Sequence, residues 1–190
     1  MANRNTKGFG LIAAGRLGGG PSIQGQGKYF IDAGHSTTIY NGETVKISSG
    51  YVVGGNGSAA DIVGVLNGIF FNAADTNKPT FSNFYKATIT PANSEDTTAF
   101  VMDDPFQQYV VSTDDARTQA QFLATYDMNS SAGSDTTGKS SSTLDTSVTD
   151  ANGKQFRLLR SAEDPENEDI TAAFFSGIVV SNTNSFNGHN

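Results

Sequence analysis

Asp103 and Asp104 are adjacent carboxylates whose side-chain type suits acid–base work. A general acid and a general base must converge on one substrate, whereas neighbours on a strand point to opposite faces. With Pro105 next, the pair reads as a strand-ending turn. Proline offers no ladder donor and biases Asp104 away from the helical region. Glu163, Asp164, Glu166, Glu168 and Asp169 put five acids within seven residues. Calcium accepts such oxygens, but no Asp-x-Asn-x-Asp-Gly loop with a distal Glu accompanies them. Asp127-x-Asn129-x-Ser131 opens like one, then carries Ala132 at the sixth position and Gly138 at the twelfth. A solvated acidic loop is the expectation. His35, in a turn beside Gly34, and His189 have no companion at metal-ligand spacing and no Ser/His/Asp arrangement.

The chain has no cysteine, which excludes a disulfide frame, a thiolate metal site and a Cys nucleophile. Gly20-Pro-Ser-Ile-Gln-Gly25 has the opening spacing of a phosphate loop but continues Gln26-Gly27 instead of Lys-Ser/Thr. No Gly-x-Ser-x-Gly elbow occurs. The expectation is a protein that is not an enzyme, with no catalytic, cofactor-binding or metal-binding residue and no cofactor.

Few elements are needed to position chemistry, and composition says what they are. Only 16% of the 190 residues are charged, and 21 are glycine. Leu, Glu and Lys are scarce and Ser, Thr and Asn plentiful, so helix should be minor and short strands joined by turns should dominate. No run of about 18 apolar residues exists to span a membrane. Phe9 to Ala14 is too short, and too interrupted by Gly10, for a secretory signal.

The net charge of −7 is unevenly spread: +4 up to Ile31 and −11 beyond it. Residues 1–27, with Gly18-Gly19-Gly20-Pro21, read as an extended arm that cannot pack alone. Phe9, Leu11, Ile12 and Leu17 supply apolar anchors, and Arg4, Lys7 and Arg16 supply charge for an acidic partner surface. Four basic residues up to Ile31 (Arg4, Lys7, Arg16 and Lys28) are too sparse for a nucleic-acid partner.

Two β modules follow, 28–112 and 113–190. Strands are expected at Lys28–Ala33, Thr37–Tyr40, Thr44–Ile47 and Tyr51–Val53, with Asn41-Gly42 as a turn. Ile62 to Phe71 reads as a bent, buried strand with Gly64 and Gly68 marking bulges or close backbone approach. Phe81–Tyr85, Thr98–Met102 and Phe106–Ser112 continue the core stretch. Ser112-x-x-Asp115 fits a capping box, so Ala116–Ala124 is either a short helix or a strand. Asn129–Gly153 reads as a long loop or insertion, within which Ser140–Val148 could form a Ser/Thr-rich edge strand. Strands at Gln155–Leu159 and Ala172–Val180 complete the set. The fold class is mainly β: one or two small antiparallel barrels or sandwiches, an extended Gly-rich N-terminal arm, and at most a short helix.

Several blocks, in order, resemble the capsid decoration (cement) proteins of tailed phages, the marine short-tailed phage type in particular. They are Tyr40-Asn-Gly-Glu-Thr-Val45, Ile62-Val-Gly-Val-Leu-Asn-Gly68, Lys78-Pro-Thr-Phe-Ser-Asn-Phe-Tyr85 and Ala99-Phe-Val-Met-Asp-Asp-Pro105. Thr136-Thr-Gly-Lys-Ser-Ser141 with Leu144-Asp145, and Phe156-Arg-Leu-Leu159 with Glu163-Asp-Pro-Glu-Asn167, follow. The similarity spans about Tyr40 to Val180. It departs at Phe84-Tyr85, where the family pattern has Tyr-Trp, and at the final strand, which lacks a charged ending. The resemblance implies an ordered 129–153 segment and a structural protein on the outer surface of the virion. It also implies the major capsid protein as partner and homotrimers. Rival readings are a glycan-binding module using Tyr85 or Tyr109, and a hydrolase using Asp103 or Asp104 with Glu163.

Overall fold

The computed structural model describes residues 2–20, 25–55, 57, 61–129, 133–150 and 153–186, without the side chains of 148–150. His189, Pro21 and residues 130–132 of the stretch that only opens like a calcium loop lie outside this set.

Among the described residues, twelve strands form two antiparallel sheets. The N-terminal sheet has the order β2(Gly27–Ile31), β7(Thr97–Met102), β5(Gly64–Asn72), β3(Thr44–Ser48), β4(Tyr51–Gly54), with β6(Pro79–Ser82) on the far half of β5. The C-terminal sheet has the order β1(Ile12–Arg16), β8(Gln107–Ser112), β12(Ser176–Ser181), β11(Phe156–Ser161), β9(Thr125–Met128), β10(Leu144–Asp150). Neither sheet closes into a barrel, and the arrangement is that of a β-sandwich. Among the described residues, helical structure is limited to the 3-10 turns Ala92–Ser94 and Gln119–Gln121.

β5 is the bent strand expected from its glycines. Its pairing with β7 shifts register between Leu66 and Gly68, which makes Asn67 a bulge. Alternation along the strand serves two cores, and the bulge puts Leu66 and Ile69, three residues apart, on one face. Val65 faces the C-terminal core with Met102, Tyr109 and Phe156, while Leu66 and Ile69 face the N-terminal core with Ile31, Val45 and Val101. Gly64 is required by close approach: a Cβ there would lie 2.1 Å from the Met102 carbonyl oxygen. Fully buried Tyr85, Tyr109, Tyr126, Phe156 and Phe175 provide the largest apolar contributions, each about 1.5–3 kcal/mol on the usual burial scale.

Four expectations are corrected. First, the described part of the 1–27 segment is not an arm projecting from the body. Ile12–Arg16 pairs with β8 as an edge strand, and Leu11 is buried in the core. Upstream, Asn3 Nδ2 donates to the Ala173 carbonyl at 2.9 Å, and Asn5 N–H donates to Asn167 Oδ1 at 2.7 Å. Second, β8 lies within the expected first module, 28–112, but hydrogen-bonds to β1 and β12 in the other sheet. The chain changes sheets at Asp103–Phe106, where Pro105 cannot continue a ladder. Third, the capping box is Thr118/Gln121, not Ser112/Asp115. It opens a single 3-10 turn rather than a helix, and Ser112 is the last residue of β8. Fourth, Thr37–Tyr40 makes only the isolated bridge Ile39↔Tyr85. The Ser/Thr-rich edge strand is present as β10, pairing with β9 on its one ladder.

Candidate partner-binding surface

The residues singled out for chemistry are spent on holding the fold. Asp103 accepts the Tyr29 hydroxyl at 2.8 Å. Asp104 accepts Arg16 Nε at 2.9 Å and caps its own turn through Phe106 N–H at 2.9 Å. The two carboxylates therefore face different partners. Glu163 lies 3.7 Å from Arg160 and is not brought to either aspartate. Asp127 is held by Lys154 Nζ at 2.8 Å and by Gln155 N–H at 3.2 Å. Among the described residues no group of three or more His, Asp or Glu could hold a metal ion. No helix there is long and apolar enough to cross a membrane.

The acidic 163–169 loop does receive a basic partner, and that partner is the chain's own N-terminus. Arg4 pairs with Glu166 through its side chain, and its backbone N–H donates to the Glu166 carbonyl at 3.1 Å. Asp164 organises the loop by accepting Asn167 Nδ2 at 2.8 Å. Of the proposed capsid-binding residues, Leu11 is enclosed in the core and cannot anchor a partner. Arg4 and Arg16 are ion-paired within the chain. Lys7, Ile12 and Leu17 are exposed, and Phe9 is half-buried. Phe9, Leu11 and Ile12 line a cleft of about 240 Å³ with Asn41, Asn67 and Lys139. Tyr85 and Tyr109 are buried, so neither offers a sugar-stacking face.

What the surface does present is a row of phenylalanines that sequence reasoning missed. Register places Phe30 of β2 opposite Thr98 of β7, Thr98 opposite Phe70 of β5, and Phe70 opposite Phe81 of β6. One step along, Lys28, Phe100 and Gly68 form the next row. Directly opposed residues of paired strands share a face, so Phe30, Phe70, Phe81 and Phe100 stand together, with their core-facing neighbours Ile31, Ile69 and Ala99 on the other side. Phe30, Phe70 and Phe81 are exposed. The Phe81 and Phe100 rings lie 6.0 Å apart between centroids. Gly68 makes room for this: a Cβ there would come within 2.8 Å of the Phe81 ring. Further along the same face Val65 and Met102 are buried under the C-terminal sheet. One end of the face is covered and the other is bare. The available signal was strand parity: Phe30, Phe70 and Phe100 each alternate with a core residue, Ile31, Ile69 and Ala99.

Leu17 and Phe106 form a second exposed apolar area beside β1, joined by Leu17 N–H donating to the Phe106 carbonyl at 2.8 Å. Arg16 lies over the Phe106 ring, 5.6 Å from its centroid.

Glu43 and His35 are among the titratable groups that the fold perturbs. Burial pushes the Glu43 carboxyl up to about 7, against the Tyr40 N–H donated to it at 2.9 Å. Burial lowers the His35 imidazole, opposed by Asp32; its Nε2 is enclosed with no hydrogen-bond partner, and its ring lies 5.5 Å from that of Tyr85.

Comparison with protein-family models, curated protein sequences and solved structures returned no match.

Proposed function

We propose that this chain is a structural protein that decorates the outside of a tailed-phage capsid and stabilises it by binding across major capsid protein subunits. The observation that carries this reading is the presence of bare apolar surface on both sheets: Phe30, Phe70 and Phe81 on one, Ile12, Leu17 and Phe106 beside the edge of the other. Bridging neighbours requires two contact surfaces, and large exposed apolar side chains in clusters suit protein partners. The ordered resemblance of the blocks from Tyr40 to Val180 supports the same reading. In this role the protein performs no chemistry. It adds buried area and hydrogen bonds across subunit boundaries of a shell under internal pressure, with trimers as its working form.

The test is co-sedimentation of the full chain with expanded, undecorated shells of a short-tailed phage. Saturable binding that raises the temperature at which the shells open is the expected result. Absence of binding at micromolar concentrations overturns the reading.

A further inference from the structure

We infer that the bare phenylalanine face of the N-terminal sheet is the shell-contacting surface, and that it docks an apolar patch of the shell protein flanked by basic side chains. The inference rests on the decoration reading and specifies its interface. The face is built of phenylalanine with Thr98 and Lys28. A sugar needs several convergent hydrogen-bonding groups around an aromatic platform, whereas phenylalanine without a polar handle suits another apolar protein surface.

Area argues against a second copy as the occupant. Phe30, Phe70 and Phe81 are 49%, 38% and 65% exposed. That amounts to about 300 Å² per copy at roughly 200 Å² per phenylalanine. Two such faces would bury about 600 Å², near half of the roughly 1,200 Å² that a stable pair needs. On a shell the deficit disappears. A second contact from the same chain, as at Leu17 and Phe106, makes the first effectively intramolecular.

Charge specifies the partner further. At the far end of the face Asp32 follows β2 and Glu95 and Asp96 precede β7, all three exposed and brought together by the Ile31↔Thr97 pairing. Asp96 is fixed in place by Ala33 N–H at 3.2 Å. The acidic end is complementary to Lys or Arg on the docking protein, and it opposes approach by another acidic copy.

The experiment compares shell binding of the parent chain with a Phe30→Thr/Phe70→Thr/Phe81→Thr variant, with Phe81→Thr alone, and with Glu95→Lys. Threonine keeps strand propensity at these exposed positions, and unfolding midpoints check that each variant folds. The single Phe81→Thr variant carries the test should the triple one not fold. The expected result is binding weakened at least tenfold by the phenylalanine substitutions and several-fold by Glu95→Lys. If the parent binds and the phenylalanine variants bind equally well, the face is overturned and the decoration role stands. If Glu95→Lys tightens binding, the basic flank is overturned. A parent dimer at low micromolar concentration that the triple variant abolishes would assign the face to a second copy instead. Failure of the parent itself to bind removes the decoration reading and this one with it.

Discussion

The side-chain amide of Gln155 donates from Nε2 to the Gly55 carbonyl at 2.7 Å and accepts the Met128 N–H on Oε1 at 3.0 Å. Gln155 is fully buried just before β11, whereas Gly55 follows β4 in the other sheet. One side chain therefore ties the two sheets together, and its own carbonyl accepts from Asn182 N–H at 2.7 Å. Replacing it with methionine keeps the volume but orphans a buried donor and a buried acceptor. A loss of about 2–4 kcal/mol is expected, read as a lower urea midpoint by far-UV circular dichroism. A change below about 0.5 kcal/mol would show that the bridge contributes nothing net.

The N-terminal segment divides into a part that matters for stability and a part that does not. Leu11→Ala should destabilise by about 2–4 kcal/mol, because it opens a cavity in a core that cannot fully collapse. Arg4→Ala should change stability by less than about 0.5 kcal/mol, since both members of its ion pair are mostly exposed. A chain starting at Lys28 loses β1 and Leu11 together, and should melt earlier whatever it binds. Thermal unfolding of the three variants distinguishes these outcomes.

Glu43 gives stability a pH dependence of definite sign. Its folded value of about 7 lies above the ordinary value of 4.5, so the folded state holds the extra proton between them. Stability from this group is fully present below about pH 4.5 and is lost as pH rises through 7. Glu43→Gln keeps an acceptor for Tyr40 N–H and removes the titration. At pH 8 it should be more stable than the parent by about 1–3 kcal/mol, the difference vanishing near pH 4. Equal slopes of stability against pH in the two proteins would refute this.

His35 works in the opposite direction. Its imidazole is held neutral by burial, so the unfolded chain takes up a proton more readily. Stability is lost as pH falls below the ordinary value of 6.5. In a Glu43→Gln background the parent histidine should give a lower urea midpoint at pH 5 than at pH 7.5. His35→Asn should shrink that difference. NMR titration of the ring protons reports the same shift directly.

Much of the fold was written in local pattern. Alternation located β3, the paired glycines located the bend in β5, and Asp103-Asp104-Pro105 located the end of β7, though not the change of sheet that follows it. Those signals are legible because backbone geometry is imposed by the residue itself: glycine permits close approach, and proline withholds a donor. β1 was not legible. Ile-Ala-Ala-Gly-Arg has weak strand propensity and becomes a strand only because β8 offers it an unpaired edge. β9, Thr125–Met128, falls in the gap between Ala116–Ala124 and Asn129–Gly153, where no element is expected.

By itself the sequence determined a mainly β chain with short elements, little helix and an unequal charge distribution, because those follow from composition and period. Only the tertiary structure decided where the charges and aromatics go. It turned the basic N-terminus onto the chain's own acidic loop, and it buried Leu11, Tyr85 and Tyr109. It also lined up Phe30, Phe70, Phe81 and Phe100, up to 70 residues apart, on one bare face. Period two fixes which side of its own strand a residue takes. Which side of the sheet is covered depends on pairing between distant strands, and no local pattern carries that.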